Sequence, residues 1–586
     1  MVATPTPTAK RLISQAYVKL DGADLTSDIM ADLLRVRVEG SVHLPDMAIL
    51  EFDNSDLKWS EAERITIGQE IKVYFGDADL KSDEPVFAGE VAGMEIDVGM
   101  SGAIMMRIRG YDRAHRLHRG RITKVFKDVT DSDIAQEVAS AVGLKSEVQN
   151  TPGKHPWVLQ NNQTNWEFLQ ERAALHGYEV QVRDKTLVFK PPPSTEREAI
   201  DLEWNRELLS FRATMATGEQ VNEVQVRGWD PLNKETVVGV ASNAKNLPIL
   251  DQGKNDGGQV AESAFQKPAK MVIARQPIYS QDQADRLAQT VLNELAGTFI
   301  TAQGIAMGNP KLQLGSEVNL KSVGKQFTGK YMVTQITHRY EPDGYLIDFE
   351  VTGRRSTDLI SLVSQREAPA MHVLTGVVSN SRDDETGPGI GRVKVKFPQL
   401  GDDIESYWCR LVAPGAGPDR GIEFIPEVDD EVLVVGSSMD NLYVLGGLWN
   451  SKDLPPYKSS AAAPSGSVEK RAIRTRTGHE ILLDDGSSGG ITIIDSTGNN
   501  KVQINTSDNS LKAEVNGDIT IKSKTGSITI DAALGLTVKA GTNFSAEATG
   551  NAAIKGNGQA SLEGTASAAV RTSGVATLSG SAVSLG

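Results

Sequence analysis

The stretch AAIKGNGQASLEGTASAAVR, residues 552–571, repeats with a period of eight residues. Two apolar series run through it at this spacing: Ile554, Leu562 and Val570, and Ala552, Ala560 and Ala568. Residues two apart in a strand point to the same side of a sheet. Each octad therefore offers two inward positions, and a small residue two places further on lets the chain turn. One octad cannot bury its apolar groups alone, so the period predicts a stacked β-solenoid.

The same spacing extends over residues 528–580. The first inward position is occupied by Ile528, Leu536, Phe544, Ala552, Ala560, Ala568 and Ala576. The second inward position is occupied by Ile530, Val538, Ala546, Ile554, Leu562, Val570 and Leu578. The turn position carries Ala532, Ala540, Ala548, Gly556, Gly564, Thr572 and Gly580. We expect the large inward residues to form the core: Ile528, Ile530, Leu536, Val538, Phe544, Ile554, Leu562, Val570 and Leu578.

A row of alternating charges accompanies the apolar series. The residue after each second inward position is, in order, Asp531, Lys539, Glu547, Lys555, Glu563 and Arg571. Neighbouring strands that are one octad apart, or any odd number apart, then meet with opposite charges. Such cross-strand pairs contribute roughly 0.2–1 kcal/mol each. The alternation therefore favours octads stacked as neighbouring strands, and it discourages pairing between like sheet edges.

Two assemblies satisfy this repeat. A single chain can coil with three octads per turn, or three chains can wind around one another, each contributing one face of a prism. The interior is thin because Ala recurs at the first inward position, and the sequence ends within the repeat without a polar cap. An uncapped monomeric solenoid exposes an apolar end. The pattern therefore favours a homotrimeric needle.

The chain before the repeat divides into three further parts. Residues 1–365 alternate strand patterns with helices and predict a mainly β, α+β hub. Residues 371–450 contain strand patterns separated by Gly, Pro and Asp clusters: HVLTGVVS, GRVKVKFP, YWCRLVAP, EVLVVGS and NLYVLGGLW. This spacing is typical of a small five-stranded barrel, for which the OB-fold is the commonest design. Residues 451–478 predict a linker, and residues 479–586 contain the predicted β-helix.

Local signals place several elements within these parts. Three helices are predicted to begin at pairs with capping-box spacing: Thr130 with Asp133, Thr164 with Glu167, and Ser280 with Gln283. The alternating runs NEVQVRGW (222–229) and YMVTQITHRY (331–340) predict half-buried strands. Further short strands are predicted before the regular octads: ILLDD, ITIID, KVQI, LKAEV, DITIK and SITID.

Composition excludes several classes of protein. The chain has 586 residues, 39% of them hydrophobic, and a formal net charge of −15. This charge argues against binding duplex nucleic acid, which needs an excess of Lys and Arg. The one cysteine, Cys409, lies in the apolar run YWCRL and is predicted to be a buried thiol. The N-terminus lacks a signal-peptide core and no run is long enough to span a membrane, so we expect assembly in the cytoplasm.

The sequence contains only weak signals for a catalytic or metal site. In RAHRLHR, His115 and His118 are three apart, but the interleaved arginines repel a cation, and a basic structural loop or subunit contact is the better interpretation. GPGIGR (387–392) lacks the Lys and Ser/Thr of a phosphate loop and predicts a hairpin turn. Asp484 and Asp485 are neighbours in a strand, face opposite sides and cannot act as a glycosidase pair. We therefore predict neither an enzyme nor a cofactor or metal site.

The order of parts and several motifs resemble the VgrG family and the central spike-hub proteins of contractile injection systems. The hub motifs are FAGEV (87–91), RGYDRAHRLHRGR (109–121), TDSDIA (130–135), NWEFLQERAALHGYEV (165–180) and QADRLAQ (283–289). The barrel motifs are GRVKVKFPQLGDD (391–403), GIEFIPEVDDEVLVVG (421–436) and GGLWN (446–450). RTGHEILLDD (476–485) resembles the entry to the spike.

The resemblance implies a homotrimer at the centre of a baseplate. Two related barrel-like hub domains per chain would give pseudo-sixfold symmetry, on which a hexameric, Hcp-like tube protein can start. The β-helix would point away from the tube, and sheath contraction would drive it through a target envelope. An extracellular injection particle or a phage-like tail fits best, followed by a type VI secretion spike.

The resemblance also implies a partner at the end of the needle. The segment SGSAVSLG (579–586) is small and nearly uncharged, and it leaves the last strands without a following octad. Unpaired sheet edges and apolar patches bind partners, and in the resembled family that partner is a conical PAAR-like protein. We expect the platform to consist of Ala582, Val583, Ser584, Leu585 and Gly586.

The alternative is an adhesive or carbohydrate-binding β-solenoid of the kind found in tail fibres. Such a protein needs an acidic or aromatic groove along the solenoid. The octads contain one aromatic residue, Phe544, and it occupies an inward position, which counts against this alternative.

Overall fold

A computed structural model describes residues 14–584 except 62–63, 78–83, 101, 193–198, 231–232, 246, 254–255, 275–277, 279, 343, 354–371, 386 and 440. The chain forms two compact units, Met1–Pro455 and Pro456–Gly586. The first unit contains the hub and the barrel, and the second contains a small sheet and the octads.

The first half of the hub is mainly β. Its elements in chain order are β1 (Ser14–Leu20), β2 (Ala23–Asp24), α1 (Ser27–Asp32), β3 (Leu33–Ser41), β4 (Met47–Asp53), α2 (Lys58–Glu61), β5 (Glu70–Asp77), β6 (Phe87–Val98) and β7 (Ile104–Tyr111). β3 and β4 alternate buried and more exposed residues, as expected for strands that cover a core on one face.

An α+β segment follows. It contains a 3-10 helix (Arg113–His118), β8 (Ile122–Val129), α3 (Asp131–Ala141), β9 (Lys145–Val148), β10 (His155–Gln163), α4 (Asn165–Ala174), β11 (Glu179–Arg183) and β12 (Thr186–Lys190). Both predicted capping boxes at the starts of α3 and α4 are confirmed. Thr130 Oγ1 accepts from the Asp133 N–H at 3.1 Å, and Thr164 Oγ1 accepts from the Glu167 N–H at 3.1 Å.

The second half of the hub contains a longer insertion. Its elements are β13 (Ile200–Glu203), β14 (Leu208–Met215), β15 (Glu223–Asp230), β16 (Glu235–Ala241), β17 (Ile249–Leu250), α5 (Gly257–Phe265), β18 (Lys270–Ile273), α6 (Gln281–Gly297), β19 (Ile300–Met307), β20 (Glu317–Lys321), β21 (Gly329–Met332), β22 (Gln335–Glu341) and β23 (Gly344–Val351). α6 begins at Ser280 as predicted, with the Ser280 Oγ accepting from the Gln283 N–H at 3.3 Å.

The run 331–340 forms strand as predicted, but it is divided into two strands. β21 and β22 are separated at Val333 and Thr334, whose N–H groups donate to Ser316 O and Glu350 O, both at 2.9 Å. These tertiary hydrogen bonds turn the backbone away from a continuous ladder. β21 therefore pairs with β20, while β22 pairs with β23 and β3.

One eleven-stranded sheet joins the two halves in the order β14-β19-β23-β22-β3-β4-β7-β6-β5-β1-β2. Within it, the quartets β14-β19-β23-β22 and β3-β4-β7-β6 have the same strand order. Each quartet starts with a register shift, at Leu208/Ser210 and at Leu33/Arg35. The halves also share one core, since the Phe75 ring stacks on the Tyr345 ring at 4.5 Å between centroids. The hub is therefore an internal repeat built around a single core.

The barrel follows the hub. Its elements are β24 (His372–Asn380), a 3-10 helix (Asp383–Glu385), β25 (Lys394–Lys396), β26 (Arg410–Leu411), β27 (Ala416–Gly417), β28 (Arg420–Gly421), β29 (Glu431–Ser438) and β30 (Asn441–Gly447). A five-stranded sheet has the order β25-β24-β29-β30-β26. Cys409 is buried in its core as predicted, and burial raises the pKa of its thiol to about 11.

The second unit begins with α7 (Ser459–Ala462) and a five-stranded antiparallel meander. Its strands are β31 (Lys470–Arg474), β32 (Glu480–Asp484), β33 (Gly490–Ile494), β34 (Lys501–Asn505) and β35 (Ser510–Glu514). α7 and β31 lie within the stretch predicted as a linker, so regular structure starts earlier than the sequence indicates. The strands predicted for DITIK and SITID are absent from residues 516–584, which run as extended chain with bends.

Candidate assembly surfaces

The meander of the second unit exposes an apolar face. The register places Ile481 opposite Ile473 and Ile493, and Ile491 opposite Leu483 and Ile504. The face consists of Ile473, Ile481, Leu483, Ile491, Ile493, Val502, Ile504 and Leu511, all exposed large hydrophobic residues. Contiguous apolar patches of this kind mark interaction sites in soluble proteins.

The opposite face of the meander is mainly polar and more covered, with Ala472, Leu482 and Ile494 as its apolar members. Lys470 Nζ lies 3.7 Å from Asp484 Oδ2, and Lys501 Nζ lies 2.9 Å from Glu514 Oε2. Thr492 and Gln503 lie between these pairs, opposite one another. Because one face is suited to water and the other is not, the meander has the pattern of a sheet that packs its apolar face against another layer.

The backbone of the octads bends once every eight residues. Bends fall at residues 533–534, 541–542, 549–550, 557–558, 565–566 and 573–574. Each bend directly follows one of the small residues that the sequence assigns to the turn position, from Ala532 to Thr572. The predicted eight-residue spacing of turns is therefore confirmed.

The predicted octad core is uncovered in the single chain. Ile554 is 96% exposed and Val570 is 80% exposed, and Ile528, Ile530, Leu536, Val538, Phe544, Leu562 and Leu578 are also exposed. Within residues 516–584 no strand pairing occurs. Unpaired backbone N–H and C=O groups and bare apolar side chains are both costly in water. Burial of the predicted core residues stays a prediction.

The predicted partner platform is only partly described. Val583 is 53% exposed, and Ala582 and Ser584 are also exposed. Leu585 and Gly586 lie outside the described residues. The platform stays a prediction.

The RAHRLHR loop is built around Glu90. Arg113 Nε donates to Glu90 Oε1 at 3.2 Å, Arg116 Nε donates to Glu90 Oε2 at 3.0 Å, and the His115 ring lies 3.1 Å from the same carboxylate. Arg113 also contacts Glu70 and Asp184, at 2.7 and 2.6 Å. Burial lowers the pKa of His115, although Glu90 opposes this. The loop is an ion-pair network that fixes the 3-10 helix to β5 and β6.

A second polar cluster was not predicted. The buried carboxylate of Asp131 accepts from Arg172 Nε at 2.5 Å and lies 2.9 Å from His155 Nε2 and 2.7 Å from His176 Nε2. Burial alone would raise the pKa of Asp131, but the two histidines and Arg172 hold it well below its usual range. These residues are far apart in sequence, and only the tertiary fold brings them together.

Two carboxyl groups lie beside a small cavity, with Asp112 buried and Asp46 half-buried. Asp112 Oδ2 accepts from the Asp46 N–H at 3.0 Å, and both side chains line a cavity of about 140 Å³ between the two halves of the hub. Burial raises the pKa of Asp112 to about 7. Burial, and then the charge of Asp112, raise the pKa of Asp46 well above its usual value. The pair retains a proton at pH values where ordinary carboxyl groups are ionised.

The barrel is anchored to the hub through β10. The Trp157 indole Nε1–H donates to Glu405 O at 2.8 Å, and Trp157 packs within the barrel core together with Val125 and Leu159.

In the loop 387–392, Arg392 Nε donates to the buried Asp383 carboxylate at 2.9 Å. This loop is therefore held by an ion pair within the barrel.

The described part of the chain offers neither a metal site nor a membrane-spanning helix. No group of three or more His, Cys, Asp or Glu side chains there is arranged to hold a metal ion. Across the same residues, no helix has the length and apolar character needed to cross a membrane.

A mainly β hub followed by a five-stranded barrel and exposed assembly surfaces defines a tail-spike type of protein. The chain belongs to the family described as "Alg8 N-terminal domain", which it matches over residues 11–341. Residues 374–449 match the family described as "Type VI secretion system/phage-baseplate injector OB domain", so the predicted OB-fold barrel is confirmed.

Two related proteins are themselves spike proteins. The chain is 28% identical over 101 residues to the type VI secretion system spike proteins VgrG2a and VgrG2b of Pseudomonas aeruginosa. The match covers 16% of this chain and only 12% and 10% of those proteins. The predicted similarity to VgrG-type spike proteins is confirmed.

Solved structures show the same fold at low identity. One chain of the half-lidded Francisella PdpA-VgrG complex matches with a TM-score of 0.52 and 11% identity, covering 86% of this chain and 88% of that chain. One chain of the lidless PdpA-VgrG complex matches with a TM-score of 0.50 and 10% identity, covering 86% and 99%.

Proposed function

We propose that this chain forms the homotrimeric spike and hub of a contractile injection system, as a structural protein without catalytic activity. The observation that carries the proposal is the exposed apolar face of the meander, from Ile473 to Leu511. Three copies that turn this face toward a common axis would cover it while leaving the Lys470–Asp484 and Lys501–Glu514 pairs in water.

The octads support the same assembly. Their backbone lacks strand partners within residues 516–584, and two further copies would supply them. In a three-chain prism, each octad would lie beside octads that are one repeat earlier or later in another chain. The alternating row from Asp531 to Arg571 would then place opposite charges side by side.

The resulting needle would lie at the centre of a baseplate in a tail-like particle. The injector description of the OB domain and the spike relatives support this location. The hub would carry an Hcp-like hexameric tube and contact baseplate proteins. Sheath contraction would drive the needle through a target envelope, outside the cell in which it was assembled.

The solution mass tests the proposal. Light scattering of the purified full chain should give three times 63.1 kDa, because the apolar faces drive association. A monomer at micromolar concentration would contradict the proposal. A dimer would do so as well, since two sheets do not enclose a threefold axis.

The end of the octads is proposed to bind a PAAR-like tip protein. Val583 is exposed beside the bend at 580–581, and the backbone there lacks a strand partner among the described residues. Deleting residues 579–586 should abolish copurification of a PAAR-like protein with the spike and leave the trimer mass unchanged. Retention of the tip protein by the truncated chain would place its binding site elsewhere.

A further inference from the structure

A cavity of about 140 Å³ lies where three parts of the hub meet. Its walls come from β3 and the residues before β4 in the first half, from β11 in the α+β segment, and from β22 in the second half. The space is several times larger than one water molecule needs, and small-molecule sites commonly form at junctions of this kind. The cavity is therefore large enough to hold a small ligand.

Asp46 and Asp112 are held opposite each other beside this cavity. β4 and β7 pair Met47 with Tyr111. One step beyond that pair, the Asp46 N–H donates to Asp112 Oδ2 at 3.0 Å and the Asp112 N–H donates to Asp46 O at 2.9 Å. Like charges directly opposite each other in a ladder are destabilising. The two strands therefore fix a pair of acidic side chains in an unfavourable arrangement.

Neither carboxyl group has a salt bridge to a Lys or Arg side chain within the described part of the hub. Arg113 follows Asp112 in the sequence, but three other carboxylates engage its guanidinium. Arg183 lines the same cavity, but its Nη2 donates to Gln181 Oε1 at 3.3 Å. Burial raises the pKa of Asp112 to about 7 although Arg113 opposes this. Buried charges in proteins are ordinarily paired, so this pair lacks a cation.

His338 provides a third polar group at the cavity. Its side chain lines the cavity from β22, and the residue is 1% exposed. Its Nδ1 lies 2.7 Å from the Tyr345 hydroxyl, and its Nε2 has no hydrogen-bond partner among the residues that the structure describes. Burial lowers the pKa of His338 to about 3, so the ring is neutral at ordinary pH. In the tautomer that donates from Nδ1, Nε2 is an acceptor that still needs a donor.

Gly40 keeps the space beside these groups open. A Cβ atom at this position would lie 3.1 Å from Asp46 Oδ1 and 3.3 Å from Ile336 Cγ2. Ile336 and Val38 give the cavity apolar walls. Leu44 also lines the cavity and is 53% exposed, so the cavity opens toward solvent on that side. The result is a pocket with polar groups inside and apolar walls around them.

We propose that this pocket binds a primary ammonium group on a short alkyl stem. An –NH3+ group has three donors, and Asp46, Asp112 and His338 offer three acceptors. The stem would contact Val38 and Ile336. A metal ion fits the pocket less well, because the described residues include no group of three or more His, Cys, Asp or Glu side chains arranged to hold one. The ammonium group belongs either to a free alkylamine or to a lysine of another protein.

Calorimetric titration of the full chain with n-butylammonium chloride tests the site. We expect saturable binding of one ligand per chain, because the ammonium group would supply the missing positive charge. The matched probe is n-butanol, which has the same stem without the charge and should not bind. Absence of saturable binding by n-butylammonium, or equal binding of n-butanol, would overturn the proposal.

Variants place the bound amine in this pocket. Asp112→Asn removes one negative charge and should weaken binding by roughly tenfold or more. Gly40→Ala keeps both acids but fills the space beside Asp46, so it should weaken binding several-fold, and it serves as the test where Asp112→Asn does not fold. The control is Asp402→Asn, at an exposed position of the barrel, which should bind as the unmodified chain does. Unchanged affinity in folded Asp112→Asn or Gly40→Ala would overturn the assignment to this pocket.

Two further probes identify the source of the ammonium group. N-acetyl-lysine methylamide carries the same group on a peptide backbone. If it binds as tightly as n-butylammonium, the pocket accepts a lysine of a partner protein; if only n-butylammonium binds, the pocket takes a free amine. Magnesium and calcium chloride should neither bind nor displace the amine. Binding of either metal ion in place of the amines would overturn the proposal.

Discussion

The hub buries the apolar residues of its strands, whereas the second unit leaves its apolar residues exposed in the single chain. In the hub, strand residues such as Val36, Leu50 and Ile347 are buried because both halves of one chain close around a shared core. In the meander and the octads, residues such as Ile491 and Ile554 have the same strand pattern but remain exposed in the single chain. The hub completes its core within one chain, whereas burial of the apolar residues of the needle is proposed to come from other copies.

The largest expected effect separates the two faces of the meander. Ile491→Asp would bring three carboxylates onto the proposed axis, where desolvation and mutual repulsion disfavour the trimer by several kcal/mol. Light scattering should then show monomers. Thr492→Asp, one residue away on the polar face, should leave the trimer intact. Equal effects would show that the exposed face does not lie inside the assembly.

The octads provide the next test. Ile554→Asp should also disfavour the trimer by several kcal/mol, but less than Ile491→Asp, because the octad interior is thin and lined by Ala. The measurement is resistance of the trimer to heat and detergent. Glu563→Gln, on the charged row, should change it by no more than about 1 kcal/mol. Similar losses in the two variants would argue that Ile554 does not face inward.

The features that could be predicted from the sequence are local ones. The eight-residue period, the turn residues and the capping pairs at Thr130 and Thr164 each involve residues a few positions apart. The repeat of the hub halves was expected only from the family resemblance, because the two quartets correspond by strand order and not by a pattern of residue types. The cluster around Asp131 and the bond from Trp157 to Glu405 join distant segments, and only packing creates them.

The pH dependence of the hub gives a smaller effect that the needle should not share. The pKa of Asp112 is raised to about 7 in the folded hub, from about 3.9 in an unfolded chain. Between these values the folded state binds more protons than the unfolded state, so stability falls as the pH rises. For one proton the slope is about 1.4 kcal/mol per pH unit. Denaturation measured from pH 5 to 8 should show this fall.

Replacing the neighbouring acid should flatten that slope. Asp46→Asn removes a second carboxyl group whose pKa is raised by burial and by the charge of Asp112, so the hub should lose less stability between pH 5 and 8 than the unmodified chain. Asp402→Asn, at an exposed position of the barrel, is the control and should leave the slope unchanged. An unchanged slope in Asp46→Asn would show that the Asp46 carboxyl group does not retain its proton in the folded hub over this pH range.

The smallest effect concerns the junction of hub and barrel, where the hydrogen bond of Trp157 adds to the packing of Val125 and Leu159. Trp157 is 6% exposed and donates to Glu405 O at 2.8 Å. Trp157→Phe keeps an aromatic ring in the barrel core but removes the donor, which costs about 1 kcal/mol. Hydrogen exchange should therefore quicken at Phe397 and Ser406, whose N–H groups donate to Ile404 O and Val395 O beside this bond, and trimer mass should not change. Trp229→Phe is the control, since Trp229 is 49% exposed and substitutions at such positions usually stay within about 0.5 kcal/mol. Loss of the trimer in Trp157→Phe would mean that attachment of the barrel and assembly of the needle are coupled. That result would contradict the proposal that the hub completes its core within one chain while the needle assembles from several chains.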